Sequence, residues 1–189
     1  MATILSAQCT DERVNQVTGP LFRNHPDAAS IRELSQAELE EYIRSCGLYR
    51  NKARHILAAT RRIEEEHAGR VPNDRETLMA LPGVGRKTAN VVLASVHAAE
   101  AIAVDTHVFR VSRRLGLSQG TTPRQVEEDL MHVLPRGTWA ATHHRLIFHG
   151  REVCRARRPL CGMCPLTRWC DWYAEHEVGA PQAAPKTPR

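Results

Sequence analysis

No apolar run in this chain is long enough to span a membrane, and no secretory signal opens it. The sequence therefore does not predict a membrane-embedded or exported protein. Strand-like alternation is missing as well, and no internal repeat recurs, which sets aside sandwiches, barrels and solenoids. Cysteine is scarce over most of the length. Cys9 and Cys46 stand alone, whereas Cys154, Cys161, Cys164 and Cys170 crowd into one short stretch. Without an export signal, that crowding points to a metal site before a disulfide framework. The chain has 189 residues, 42% of them hydrophobic, enough for one large domain or two small ones with a real core. A net charge of +5 and a pI of about 9.1 favour an anionic partner, nucleic acid foremost, against the blander reading of a merely basic protein.

The pattern that is present is helical throughout. Ala2 to Cys9 reads as the tail of a helix. Asp11 to Phe22 reads as a second helix with Val14, Val17 and Leu21 inward, and Gly19-Pro20 argues against its being straight. His25-Pro26 is a break, and Ala28 to Leu34 a short helix. Ser35 to Glu38 forms a capping box before Leu39, Tyr42 and Ile43, with Gly47 expected at the C′ position. Asn51 to His67 is a long amphipathic helix with Ile56, Leu57 and Ile63 inward, stopped by Gly69 and Pro72. After an apolar connector, Ala101 to Val104, Asp105 caps a helix from Thr106 to about Leu115. Thr122, Pro123 and Gln125 start another, ended by Leu134-Pro135, and Thr138 to Arg151 is the last long one, with Trp139, Leu146 and Ile147 inward. Residues 179–189, rich in Pro, Ala and basic residues, read as disordered.

The stretch Leu81 to Lys87 organises the rest. Pro82-Gly83 is a tight-turn signature, and Gly85 permits close backbone approach. A short helix, Glu76 to Leu81, precedes it. From Arg86 onward Ala89, Val92, Leu93 and Val96 share a helical face. A helix, a glycine hairpin and a second helix present bare N–H groups and a helix N-terminus, which suits a phosphate. Lys87 falls in the first turn, where the macrodipole disfavours a cation. Two readings fit: a solvated lysine whose neighbours hold phosphate, or a nucleophile whose pKa Arg86 and the dipole push down.

Two further groups carry chemistry. Cys154-x6-Cys161-x2-Cys164-x5-Cys170 can wrap one metal centre, zinc or an iron–sulfur cubane. A single C-x2-C knuckle with a lone cysteine on each side favours the cubane over a zinc ribbon. Arg155, Arg157 and Arg158 ride on the intervening loop, as a phosphate contact or a solvated charge run. Asp105 is an N-cap, or a carboxylate that activates a nucleophile or stabilises positive charge. His107 reads as structural. His143-His144 reads as helical surface and core, with a metal site as the alternative.

Leu81 to Asn90 (LPGVGRKTAN), Val104 to Arg110 (VDTHVFR), Leu5 to Asp11 (LSAQCTD) and the cysteine spacing together resemble the endonuclease III family, bifunctional DNA glycosylase/AP lyases of the helix-hairpin-helix superfamily. The match covers nearly the whole chain in order. The resemblance implies an all-α, two-lobed fold. Residues 1–99 would form a helical bundle with the hairpin at about 74–98, residues 100–178 a cluster domain, and a DNA cleft would lie between. It implies Lys87 and Asp105 as the catalytic pair, converging on one deoxyribose carbon. It implies Gln8 and Leu48 as the residues that fill the gap left by a flipped base. Gly83, Gly85 and Arg86 would contact DNA beside them, with Arg155, Arg157 and Arg158. Cys154, Cys161, Cys164 and Cys170 would hold a 4Fe-4S cluster. The partner would be duplex DNA carrying damaged pyrimidines or abasic sites, met by a monomer in the cytoplasm, on the nucleoid of a bacterium and at no membrane.

One departure stands out. Family members carry another helix before the segment matching Met1, which implies a late start, a shortened chain or a member that dispenses with it. Its loss would uncover apolar surface worth roughly 25 cal/mol per Å² in the cluster domain. A less stable domain is the expectation, checked by comparing melting with a version extended upstream. Three rival readings fit less well. The adenine-specific mismatch branch usually lacks the lysine and carries a further domain. A non-catalytic DNA-binding hairpin module needs neither Lys87 with Asp105 nor Gln8. A redox sensor gains nothing from the hairpin.

Overall fold

The structure, a computed structural model, describes residues 1–97 and 100–177. The tail expected to be disordered lies outside these. All regular elements among the described residues are helical, and none of the helices is long and apolar enough to cross a membrane. The chain divides into two compact units, Met1–Ala99 and Glu100–Arg189.

The first unit holds α1 (Ala2–Leu5), α2 (Asp11–Asn24), α3 (Ala28–Arg32), α4 (Gln36–Ile43), α5 (Tyr49–His67), α6 (Arg75–Ala80) and α7 (Arg86–Val96). Most starts follow side-chain caps. Thr10, Asp27, Ser35 and Asp74 each accept an amide hydrogen from the first turn, with reciprocal capping boxes at Asp27 and Ser35. The long α5 is the axis, and α1, α3 and α4 pack on it. Its inward Ala53, Ile56 and Leu57 meet a core built from Leu5, Leu21, Ile31, Leu39 and Ile43. Lys52 lies in the same interior, its ammonium donating to the Leu5 carbonyl at 2.9 Å, so the charge enters with a partner.

One expectation needs correction here. Gly47 is not the left-handed terminator of α4. That helix ends at Ile43 with Arg44 as its cap, and the positive φ falls on Leu48 instead, at 57°. The helix expected from Asp11 continues through Pro20 to Asn24. Proline frees the carbonyl one turn back, that of Gln16, and both Gln16 and Pro20 face solvent, so water can take the bond. Val96, 63% exposed in the last turn of α7, borders an apolar cavity with Ile63, Val71, Leu78 and Val84.

The second unit holds α8 (Thr106–Arg114), α9 (Pro123–Val133), α10 (Trp139–Glu152), two short 3-10 turns (Cys161–Met163 and Thr167–Trp169) and α11 (Asp171–Glu177). Thr122 and Gln125 cap α9 reciprocally, with Pro123 in the first turn. The core joins Ile102 and Val104 of the connector to Val108, Val111, Val126, Leu130, Trp139 and Leu146. Thus α8 is sandwiched by α9 and α10, and its two ends are left for other work.

Candidate nucleic-acid interface and cysteine site

In the first unit the hairpin is built by sterics. Gly83 adopts a φ of +77°, and a Cβ there would lie 2.8 Å from the Cβ of His55 on α5. Only glycine permits both the backbone angle and the contact. The turn closes with the Val84 amide donating to the Leu81 carbonyl at 3.1 Å. Gly85 is the N-cap of α7, supplies no side-chain cap, and has open space around its α-carbon. The first-turn amides of α7 thus meet no capping side chain at the positive end of the helix dipole. Arg86 is half-buried and Lys87 exposed in that same turn.

The two hairpin helices are fastened by residues that sequence reasoning missed. Arg75 at the start of α6 donates from Nε to Oδ1 of the fully buried Asn90 on α7, at 2.8 Å. Arg62 of α5 donates to the Ala80 carbonyl at the end of α6 while also pairing with Glu66. Helical spacing offered no signal for these links, because each spans two elements.

Gln8 and Leu48 are brought together. Both are exposed, both have left-handed backbone (φ 53° and 57°), and a Cβ on Gly47 would meet the Gln8 carbonyl at 3.5 Å. Left-handed φ on non-glycine residues costs about 1–3 kcal/mol each and concentrates at functional turns.

In the second unit Asp105 is the N-cap of α8, as its position foretold. Its Oδ1 accepts from the amides of both His107 and Val108, each at 2.8 Å. Oδ2 takes no part in that cap. The connector before it is steadied by the His143 ring, whose Nδ1 lies 2.8 Å from the Ala103 carbonyl, and His107 contacts Arg110 at 3.2 Å. These histidines hold structure, and the alternative of a metal site at His143-His144 is not what the geometry shows: among the described residues no three or more His, Cys, Asp or Glu gather on a single ion point.

Cys154, Cys161, Cys164 and Cys170 line one cavity, walled by His149, Val153, Leu160, Trp172 and Tyr173 among others. None of the six cysteines forms a disulfide. Burial pushes the Cys170 thiol up. The neighbouring Cys154 and Cys164 add to this, while the amides of Tyr173 and Trp172 pull the other way. Sulfurs that disfavour one another's charge, around an apolar hollow, suit an electron-poor metal group. Two residues that the spacing did not reveal hold this ring. Arg114, closing α8, donates to Cys154 Sγ at 3.3 Å and to the carbonyls of Arg155 and Ala156, and its own carbonyl accepts from Cys170 Sγ at 3.2 Å. Trp172 stacks beneath its guanidinium. His149 sets Nε2 3.6 Å from Cys164 Sγ, and burial depresses its pKa, keeping the ring neutral. Arg155, Arg157 and Arg158 are all exposed on the loop that Arg114 fastens.

Comparison with known proteins agrees with this geometry. The family described as HhH-GPD superfamily base excision DNA repair protein matches residues 1–136. Endonuclease III of Synechocystis sp. is 53% identical over 171 residues, covering 90% of this chain and 78% of that protein. Endonuclease III of Rickettsia conorii is 46% identical over 173 residues, covering 92% and 82%. Among solved structures, a trapped endonuclease III–DNA covalent intermediate superimposes with a TM-score of 0.86 at 48% identity, covering 92% of this chain and 82% of that one. With a hairpin, a capped aspartate and a four-cysteine cavity on the scaffold those relatives share, this chain belongs to the endonuclease III family of the HhH-GPD superfamily of base excision DNA repair proteins.

Proposed function

We propose that this chain removes damaged pyrimidines from duplex DNA and cuts the strand 3′ to the abasic site, with Lys87 as nucleophile. The observation that carries the reading is the exposed Lys87 in the uncapped first turn of α7, in a chain so similar to an endonuclease trapped covalently on DNA. The Lys87 amine attacks C1′ of an extruded nucleotide, the bond from C1′ to the base breaks, and the base leaves with those electrons and takes up a proton. The nitrogen sheds a proton, and its lone pair closes a C1′=N imine as the C1′–O4′ bond breaks. O4′ takes up a proton, and the imine makes the C2′ proton removable. Its loss expels the 3′ oxygen and severs the strand.

Asp105 accepts the proton Lys87 must shed, or faces the positive charge that develops on the sugar. Capping through Oδ1 fixes that carboxylate in orientation without consuming Oδ2. The amides around Gly83 and Gly85, with Arg86, hold a phosphate. Gln8 and Leu48, each on a left-handed residue of its own turn, fill the space vacated by the extruded base. Arg155, Arg157 and Arg158 neutralise backbone phosphates. The enzyme works as a monomer on DNA in the cytoplasm.

Cys154, Cys161, Cys164 and Cys170 fit a 4Fe-4S cluster, because four thiol sulfurs line one apolar hollow and a single C-x2-C knuckle lies among them. When bound, the cluster supplies a covalent crosslink that fixes the arginine-bearing loop. Arg114 orients that loop, and His149 presents a neutral ring to Cys164.

Borohydride trapping on a thymine-glycol duplex tests the reading. The protein is expected to give a covalent adduct, and Lys87→Ala to give none while still binding the duplex. An adduct that survives Lys87→Ala would assign the nucleophile elsewhere. Binding with no adduct in either protein would leave a DNA-gripping module.

A further inference from the structure

Among the described residues Lys52 is the one buried cation, 5% exposed, and the reaction above does not use it. It is bonded at both of the turns that carry Gln8 and Leu48. Its amide donates to the Leu48 carbonyl at 3.0 Å, closing the first turn of α5. Its ammonium donates to the Leu5 carbonyl at 2.9 Å, at the end of α1 and three residues before Gln8. A short helix leaves its last carbonyls to be met by whatever follows. The Ser6 hydroxyl donates to the Thr3 carbonyl at 2.8 Å, and the Ala7 amide to that of Ile4 at 3.4 Å. Among the described residues no amide reaches the Leu5 carbonyl, so Lys52 supplies the bond that the turn lacks. The acceptor is a main-chain carbonyl and not a carboxylate. A buried ammonium so bonded gives up its hydration for less than an ion pair returns. Methionine would fill similar space with no charge to desolvate. What the ammonium adds is a fixed link between backbone segments 47 residues apart. The same segments also meet at the turns themselves, where a Cβ on Gly47 would lie 3.5 Å from the Gln8 carbonyl oxygen.

We propose that Lys52 is a positioning residue for damaged-base removal: it holds the Gln8 and Leu48 turns in one register, so that both side chains enter the duplex together. The proposal rests on the gap-filling role given above to Gln8 and Leu48. Being buried, Lys52 does not itself meet DNA. Lys52→Met removes the ammonium but keeps the main-chain bond to Leu48. The Leu5 carbonyl and the Gln8 turn are then released, while α5 still starts where it did.

The test uses the cluster-loaded enzyme and a duplex with 2-aminopurine opposite thymine glycol. Filling the gap disturbs the stacking of 2-aminopurine and raises its fluorescence, a signal that needs no chemistry. In Lys52→Met that rise is expected to be about tenfold slower, and single-turnover excision to fall by about the same factor. Binding of undamaged duplex stays unchanged. All proteins are compared below the melting temperature of the least stable, and Lys52→Gln serves should Lys52→Met not fold. A cycle with the double substitution Gln8→Ala, Leu48→Ala separates positioning from general loss of structure. There the turns carry nothing to aim, so Lys52→Met should cost at most about twofold more. An equal fold-loss in both backgrounds, or a fluorescence rise of unchanged rate in Lys52→Met, would overturn the proposal. Unchanged excision and fluorescence in the double substitution would sink the gap-filling role and the proposal with it. No excision by the unsubstituted enzyme beside a normal fluorescence rise would count against the function proposed above and leave the positioning of the turns standing.

Discussion

Asp105 separates two demands that usually obscure each other. Asparagine caps a helix as well as aspartate does, so Asp105→Asn is expected to keep α8 and the melting temperature while losing the carboxylate. Turnover should then fall by about 10²- to 10⁴-fold, measured as single-turnover excision beside a thermal melt. Asp105→Ala should lose the same activity and about 1 kcal/mol of stability besides. A full-length melt unchanged with activity intact in Asp105→Asn would make the residue a cap alone. Gly83 offers the opposite case, with structure first. Alanine there needs a left-handed φ and must push against His55, so urea unfolding should show a loss of about 1–3 kcal/mol. Both residues were legible in the sequence, because a proline–glycine pair and an aspartate before a helical run each announce a local backbone state. Leu48 was not, because leucine carries no propensity for positive φ. Its turn lies beside that of Gln8, far away in the chain, through the approach of Gly47 to the Gln8 carbonyl.

At the scale of elements, the reading worked where one face of a helix met the core and failed where two elements had to be known together. The caps of α4, α8 and α9 and the inward faces of α5 and α10 followed from spacing, whereas the Asp27 cap of α3 was not read there. The end of α4 did not follow, since the left-handed residue expected at Gly47 is Leu48. Arg114 could not be found by motif either, because its partners lie about forty residues downstream. Its importance is open to measurement. Arg114→Met keeps length and apolar packing but removes the donors to Cys154 Sγ and to the Arg155 and Ala156 carbonyls. Faster bleaching of visible absorbance and loss of iron under a mild chelator are expected, as outer partners of metal sites typically tune affinity by about 10- to 100-fold. Equal bleaching rates would reduce Arg114 to a surface stacking partner of Trp172.

For the molecule as a whole, net charge sets how it meets DNA. A chain of +5 should bind duplex with an affinity that falls linearly in log salt. Replacing Arg155, Arg157 and Arg158 together by alanine should flatten that slope by about three, roughly one for each phosphate left without its cation, in a titration across salt concentrations. No change of slope would return these residues to the status of a solvated run. The all-helical class and the basic balance were readable from composition and period. The fastening of the cysteine loop was not, for it emerges only when α8, α10 and the loop are assembled. In that assembly α8 is a stiff rod with an acid at its front end and the sulfur clamp at its rear. Slack introduced at the proposed cluster's clamp would be carried by that rod to the carboxylate at its other end, so the hold on the sulfurs would also set the aim of Asp105.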